Sequence, residues 1–184
     1  MEKGITKQKN LIKIAIVGPE STGKSTLSEQ LANFYDTVWV PEYARDYINK
    51  LNRPYILEDI IEISKGQLQW EDEQEKKAKR LLICDTNLVV NKIWAEHAYG
   101  VCPDWIKENL LKRHYDIYLL MNTDISWKPD PQREHPHLRE HLFKLYENLL
   151  FELKVNYIVI SGTGEERLKN AIKNINHFLK HNDQ

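Results

Sequence analysis

The chain has 184 residues, with 26 Lys+Arg against 27 Asp+Glu and a formal net charge of -1. A length of this order fits one domain that buries about 70% of the surface its unfolded form exposes, and 41% hydrophobic and 29% charged residues with only 7 Gly and 7 Pro exclude collagen-like, low-complexity and wholly disordered classes. The balanced charge gives no overall footprint for DNA or RNA, and Cys84 and Cys102 are too few for a disulfide scaffold and are read as reduced thiols.

Residues 1–10 form a short polar, basic lead with no secretory h-region, and no apolar stretch approaches ~18 residues, so a cytoplasmic protein with no membrane partner is expected. Residues 1–184 are expected to form one domain whose lead, 1–10, is flexible; the oligomeric state is left open. Residues 11–17 (LIKIAIV) read as a strand buried on both faces, stopping at Gly18. Residues 25–35 place Leu27, Leu31 and Phe34 at helical spacing. A short strand over 37–40 ends at Pro41, and 42–51 (EYARDYINKL) reads as a helix. A long helix is expected over 57–79, its second half a solvated charged face. A third strand, 81–84, delivers Asp85 to its C-terminal end; helices over 87–98 and 103–113 lead to a fourth strand over 115–121. Residues 124–138 hold three prolines and many charges and read as a lid-like loop. A helix over 138–153, a strand over 155–160 and a closing helix over 165–179 complete the chain.

Strands alternating with helices imply right-handed crossovers and a mainly parallel five-stranded sheet, covered on both faces in a three-layer α/β/α sandwich. Ligands of such sheets sit outside the carboxyl ends of the strands. Gly18, Glu42, Asp85, the 124–138 loop and the loop at Ser161 all fall on that rim.

Gly18-Pro19-Glu20-Ser21-Thr22-Gly23-Lys24-Ser25 matches G-x-x-x-x-G-K-[ST] between an apolar strand and an amphipathic helix, the context this phosphate-binding loop requires. Its glycines let successive N–H groups point inward, and the helix adds about half a positive charge at its start. Lys24 is placed to reach the β- and γ-phosphates of ATP and the Ser25 hydroxyl to ligate Mg²⁺. Gly18 and the run from Glu20 through Ser21, Thr22, Gly23, Lys24 and Ser25 to Thr26 are therefore the candidate ATP-binding residues. Asp85 is the candidate acidic partner of Mg²⁺ opposite Ser25; the alternative is a helix N-cap for the segment from Asn87. Gly162 and Thr163 lie where backbone can approach an adenine ring, with a plain strand-to-helix turn as the alternative.

On the acceptor side, the base-reading and switch motifs of Ras-type proteins are absent: Asp85 is followed by Thr86-Asn87-Leu88, and Asn91-Lys92 continues as Ile93-Trp94. Arg133 and Arg139 flank the lid, where arginines neutralise a transferring phosphoryl group and exclude water, unless they only pair with Asp130, Glu134 or Glu140. Glu42 and Asp85 are the candidate acceptors of a hydroxyl proton, with Glu20 a weaker third. Arg45 either holds one of these carboxylates ionised or touches the phosphoryl group. His135, His137 and His141 are read as lid residues rather than metal ligands.

GPESTGKST, PEYARDY after the second strand, ICDTN after the third and NTDISWKPDPQRE before the lid, taken in this order, resemble the ribosylnicotinamide kinase domain of the NadR family over residues 11 to about 179. The resemblance implies a P-loop, nucleotide-kinase-like fold and ATP-dependent phosphorylation of nicotinamide riboside to its mononucleotide, a salvage step toward NAD; the alternatives are another nucleoside or nucleotide kinase on the same scaffold and a non-catalytic ATP-binding interaction module. It further implies that Glu42, Tyr43 and Arg45 line the acceptor site, that Asp85 and Asn87 face the ribose, and that Trp127 supplies an aromatic wall for the nicotinamide. Trp94, Tyr99 and Tyr43 are further aromatic candidates, although aromatic residues on helices are usually core. The chain departs from the best-known members in lacking an H-x-G-H adenylyltransferase signature and a helix-turn-helix segment, so neither adenylylation nor repression is expected of it.

Overall fold

A computed structural model describes residues 11–182; the expected flexible lead lies outside the described residues. In chain order the elements are β1 (Ile12–Val17), α1 (Lys24–Phe34), β2 (Trp39–Val40), α2 (Tyr43–Lys50), α3 (Leu57–Glu75), β3 (Leu81–Asp85), α4 (Leu88–Tyr99), α5 (Asp104–Lys112), β4 (Ile117–Met121), α6 (Arg139–Glu152), β5 (Tyr157–Ile160) and α7 (Glu165–Asn182). The five strands form one sheet of order β2-β3-β1-β4-β5 with every pairing parallel.

The near-continuous apolar strands follow from burial on both faces, with successive side chains alternating between two cores. Ala15, Val17, Leu82, Cys84, Tyr118 and Leu120 point to one side, where Leu68 of α3, Leu88, Val89 and Ile93 of α4, Leu110 of α5 and Leu142, Tyr146 and Leu150 of α6 meet them. Ile14, Ile16, Ile83, Ile117, Leu119 and Met121 face the other side, against Leu27 and Leu31 of α1 and Ala171 and Ile175 of α7. The expected three-layer α/β/α sandwich is the observed architecture. Both cysteines are free and buried. No helix among the described residues is long and apolar enough to cross a membrane.

Several boundaries differ by two to four residues from the sequence reading, and two of them have a local reason. Helix α3 stops at Glu75 rather than 79, where the last turn tightens: Lys77 N–H donates to Gln74 O three residues back at 2.9 Å, and Ala78 N–H is shared with Glu75 O at 3.3 Å. Strand β2 is only two residues long, since it pairs with β3 solely at Ile83 and Cys84. Helix α2 seats against α3 through Gly66, where an added Cβ would lie 2.2 Å from Cε1 of Tyr43. At the amino-terminal rim of the sheet, opposite the ligand rim, Glu71 of α3 is fully buried and its Oε2 accepts a 2.7 Å hydrogen bond from Tyr115, while Oε1 has no partner. Burial pushes the Glu71 carboxyl up to about 7.

Candidate active site

The loop after β1 can be built only with glycine at its start. Gly18 has φ 138°, and a Cβ there would lie 3.0 Å from Met121 O of the adjacent strand. Ser21 (φ 55°) and Gly23 (φ 81°) are also left-handed, which curls the backbone around a concavity. Thr22 Oγ1 closes the loop by donating to Pro19 O at 2.8 Å. Lys24, the first residue of α1, folds back so that Nζ donates to Gly18 O (2.9 Å) and Pro19 O (2.8 Å). Ser25 and Thr26 stand exposed in the first helical turn.

Asp85 ends β3 level with Ile16 of β1, is 1% exposed, and neither carboxylate oxygen has a hydrogen-bond partner. Burial, reinforced by the charge of Glu42, holds its carboxyl well above the usual range, while Ser25, Lys24 and Arg45 pull the other way. The helix-cap alternative for Asp85 falls away, because the cap of α4 is Asn87, whose Oδ1 accepts from Val89 N–H at 3.0 Å. Thr86, at φ 70°, turns the chain between the two.

The 124–138 segment is irregular, as its prolines and charges suggest, and it is fastened to the phosphate loop. Lys128 N–H donates to Ser21 Oγ at 2.8 Å, and Glu134 N–H and His135 N–H both donate to Glu20 Oε2, at 3.0 and 3.2 Å. Arg45 of α2 pairs with Asp130 at 3.0 Å, and Gln132 reaches Asn49 at 2.7 Å. Arg133 donates to Lys128 O within the segment itself. Arg139 does not belong to a mobile clamp: it opens α6, is 8% exposed, and its Nη2 donates to Thr123 O (2.6 Å) and Ile125 O (2.7 Å). It braces the base of the lid.

These pieces surround a cleft of ≈ 190 Å³ lined by Gly18 to Thr26, Glu42, Arg45, Arg133 and residues of α4 and α6. Glu42, Arg45, Arg133 and the phosphate-loop candidates are thus brought together, with Asp85 buried behind the lining beside Ser25. Other candidates are placed elsewhere. Tyr43 packs its ring on Gly66 and edge-on to Trp70, and its N–H is taken by Gln67 at 2.9 Å. Asn87 is fully buried as the α4 cap. Trp127, Gly162 and Thr163 are outside the lining. The wall instead carries Trp94 and His97 of α4, Tyr146 of α6 and His135 of the lid, the two imidazoles meeting edge-on at 4.6 Å. Burial, with the neighbouring His135 and His141, lowers the His97 pKa. Trp94 and Tyr146 sit at positions whose helical spacing also suits a core residue, so spacing alone does not mark them. Among the described residues no three His, Cys, Asp or Glu side chains are grouped to hold a metal ion.

A parallel sheet of this order, a glycine-turned phosphate loop opening a helix and the 124–138 segment fastened over the same rim define a P-loop, nucleotide-kinase-like α/β protein. The profile of the family described as "AAA domain" matches residues 13–167, and the chain belongs to that family. The chain is also similar to the trifunctional NAD biosynthesis/regulator protein NadR of Salmonella typhimurium, 30% identical over 152 residues, and to that of Escherichia coli, 28% identical over 146 residues. These alignments cover 79% and 76% of this chain but only 36% and 35% of the relatives, so the chain spans about a third of their length. Among solved structures, NadR protein in complex with NR superposes with a TM-score of 0.77 at 19% identity, covering 91% of this chain and 51% of that one. A thymidylate kinase from Ehrlichia chaffeensis gives 0.69 at 16% identity, covering 90% and 99%. The fold is that of these kinases, and the NadR resemblance extends over most of the sequence.

Proposed function

We propose that the chain is a small-molecule kinase that transfers the γ-phosphoryl group of ATP to the 5′-hydroxyl of nicotinamide riboside, yielding the mononucleotide. The observation that carries the reading is the composition of one cleft. It joins a phosphate loop to the carboxylate Glu42, with Asp85 buried behind the lining, while the acceptor-side guanidinium, Arg45, is already engaged by Asp130 at 3.0 Å. Such a site suits an uncharged hydroxyl on a substrate that carries no phosphate and, in the riboside, bears a fixed positive ring. The likeness to NadR over 79% of the chain, and the shared fold of a NadR protein in complex with NR, support this acceptor.

In this reading the loop N–H groups and Lys24 hold the triphosphate, with Lys24 exchanging Gly18 O and Pro19 O for phosphate oxygens. Ser25 and Asp85 would hold magnesium, a role that suits Asp85 as a buried carboxylate with both oxygens unsatisfied; the ion would supply charge neutralisation at the phosphates. Glu42 is then the freer carboxylate and takes the hydroxyl proton late in a loose transition state. Arg133, on the lid, neutralises the transferring oxygens and the lid excludes water. Trp94 offers the ring a π-face worth about 0.5–2 kcal/mol in cation–π attraction. The proposed setting is the cytoplasm, as one domain.

The test is ADP release by the purified chain with Mg·ATP or Mg·GTP against nicotinamide riboside, its mononucleotide and uridine. Turnover with riboside and ATP that is lost in Lys24→Ala is the expected result. Full turnover in Lys24→Ala, or a preference for the mononucleotide or uridine, overturns the reading.

A further inference from the structure

Arg167 of α7 has no place in the cleft, yet it is 5% exposed and spends its whole guanidinium on three separate backbone segments. Nη1 donates to Thr22 O of the phosphate loop at 2.8 Å, and Nε donates to Gly162 O at 2.7 Å. Nη1 and Nη2 both reach Asn122 O at the exit of β4, at 3.4 Å, and Nη2 is ion-paired with Asp124. The second oxygen of Asp124 accepts Gly162 N–H at 2.7 Å. Asn122 and Asn170 hold Ser161 from either side, at 2.9 and 3.0 Å.

From this arrangement we infer that Arg167 and Asp124 are donor-site positioning residues: Arg167 sets the peptide that aims Gly23 N–H into the phosphate cradle, and Asp124 fixes the 161–164 loop where the donor base rests. The inference rests on the proposed function in taking the phosphate loop as the triphosphate site, and on the sequence expectation that the 161–164 loop takes the donor base. The geometry of a trans peptide supplies the first half. The carbonyl of Thr22 and the N–H of Gly23 belong to one planar unit and point in opposite directions. Drawing Thr22 O toward Arg167 therefore turns Gly23 N–H to the side of the cleft that the loop lines. A guanidinium suits the task because its fixed fork of donors meets several carbonyls at once, which a lysine ammonium cannot do in the same geometry. The second half follows from Gly162, whose φ of 102° is left-handed and whose N–H and C=O are both taken, by Asp124 and Arg167. A loop held at both polar groups of its glycine presents a fixed backbone edge to a ligand.

The two residues predict different defects, which a merely structural role would not separate. Affinities of the full chain for Mg·ATP and for magnesium tripolyphosphate, which has no base, are measured by titration calorimetry. Arg167→Met raises the Kd of both ligands by about tenfold or more, while Asp124→Ala raises that of ATP by a similar factor and leaves tripolyphosphate unchanged. Nicotinamide riboside affinity is unchanged in both variants. Arg167→Lys, tested beside them, recovers the fold while keeping most of the phosphate defect. The inference is overturned if folded Arg167→Met or Arg167→Lys binds tripolyphosphate as the wild type does. It is equally overturned if Asp124→Ala weakens the two ligands alike or neither. A wild type that binds neither ligand overturns the proposed function itself, an outcome distinct from a variant that binds normally.

Discussion

Glu20, in the middle of the phosphate loop, accepts the backbone N–H of Glu134 across 3.0 Å, with His135 N–H on the same oxygen at 3.2 Å. The lid is therefore fastened to the element that would carry the phosphates, and a shift of that loop is felt directly at residues 134 and 135. Glu20→Ala removes both contacts and leaves two N–H groups to water. We expect faster amide hydrogen exchange over 128–135, corresponding to a loss of about 1–3 kcal/mol in local opening free energy. The acceptor KM should rise more than the ATP KM, since the lid closes the acceptor half of the cleft. Unchanged exchange in that segment would refute the coupling.

Asp85→Asn separates folding from catalysis. The wild-type side chain is a 1%-exposed carboxylate with no hydrogen-bond partner. Its raised pKa means that the folded state holds a proton the unfolded state releases, so this group lowers stability as pH rises above the ordinary carboxylate range. Removing the charge should leave Tm equal or higher at pH 8, while turnover falls about a hundredfold or more if Asp85 holds magnesium as proposed. Thermal melts and steady-state assays on the same preparation check both.

Glu71→Gln tests the buried pair beneath the sheet, far from the chemistry. With its carboxyl pushed from 4.5 up to about 7, Glu71 stays protonated when folded in a window where the unfolded chain ionises it. Its contribution to stability is full below about 4.5, declines as pH rises through about 7 and is then constant, a total of about 3 kcal/mol. Glutamine keeps an acceptor for Tyr115 and cannot ionise. Urea unfolding at pH 5 and pH 8 should show a wild-type loss of stability that is much reduced in the variant.

Gly66→Ala runs against simple helix propensity. Alanine in a helix interior ordinarily gains about 1 kcal/mol over glycine. Here its methyl would lie 2.2 Å from the Tyr43 ring, which is wedged against Trp70 at 4.8 Å. We expect a net destabilisation of about 1–3 kcal/mol by chemical denaturation, together with weaker acceptor binding, because Tyr43 and Glu42 are neighbours at the start of α2.

What the sequence made legible was whatever is encoded locally. The LIKIAIV run, the spacing from Gly18 to Ser25 and the delivery of Asp85 by an apolar strand all depend on contiguous residues, and the parallel sheet follows from their alternation with helices. The direction of a side chain leaving a loop or a helix end depends on partners distant in sequence. Arg133 and Arg139 look alike in sequence, yet one lines the cleft and the other is consumed by Thr123 O and Ile125 O. The resemblance points Asn87 toward the ribose, but a turn at Thr86 makes it a helix cap. Tyr43 is drawn from the cleft by the space above Gly66, which only the docking of α2 on α3 creates. Arg167 carried no signal at all, since its three partners become neighbours only once β1, β4 and β5 are side by side.

The placement of β1 between β3 and β4 bears on how the molecule is made. A nascent chain that has emerged only as far as α5 can assemble β2, β3 and β1, but the other side of β1 is then an unpaired edge rich in isoleucine and valine. Until residues 117–121 leave the ribosome, that edge is open to pairing with another chain. Truncations ending before Ile117 should therefore aggregate during synthesis, and chaperone demand should fall once β4 has been translated.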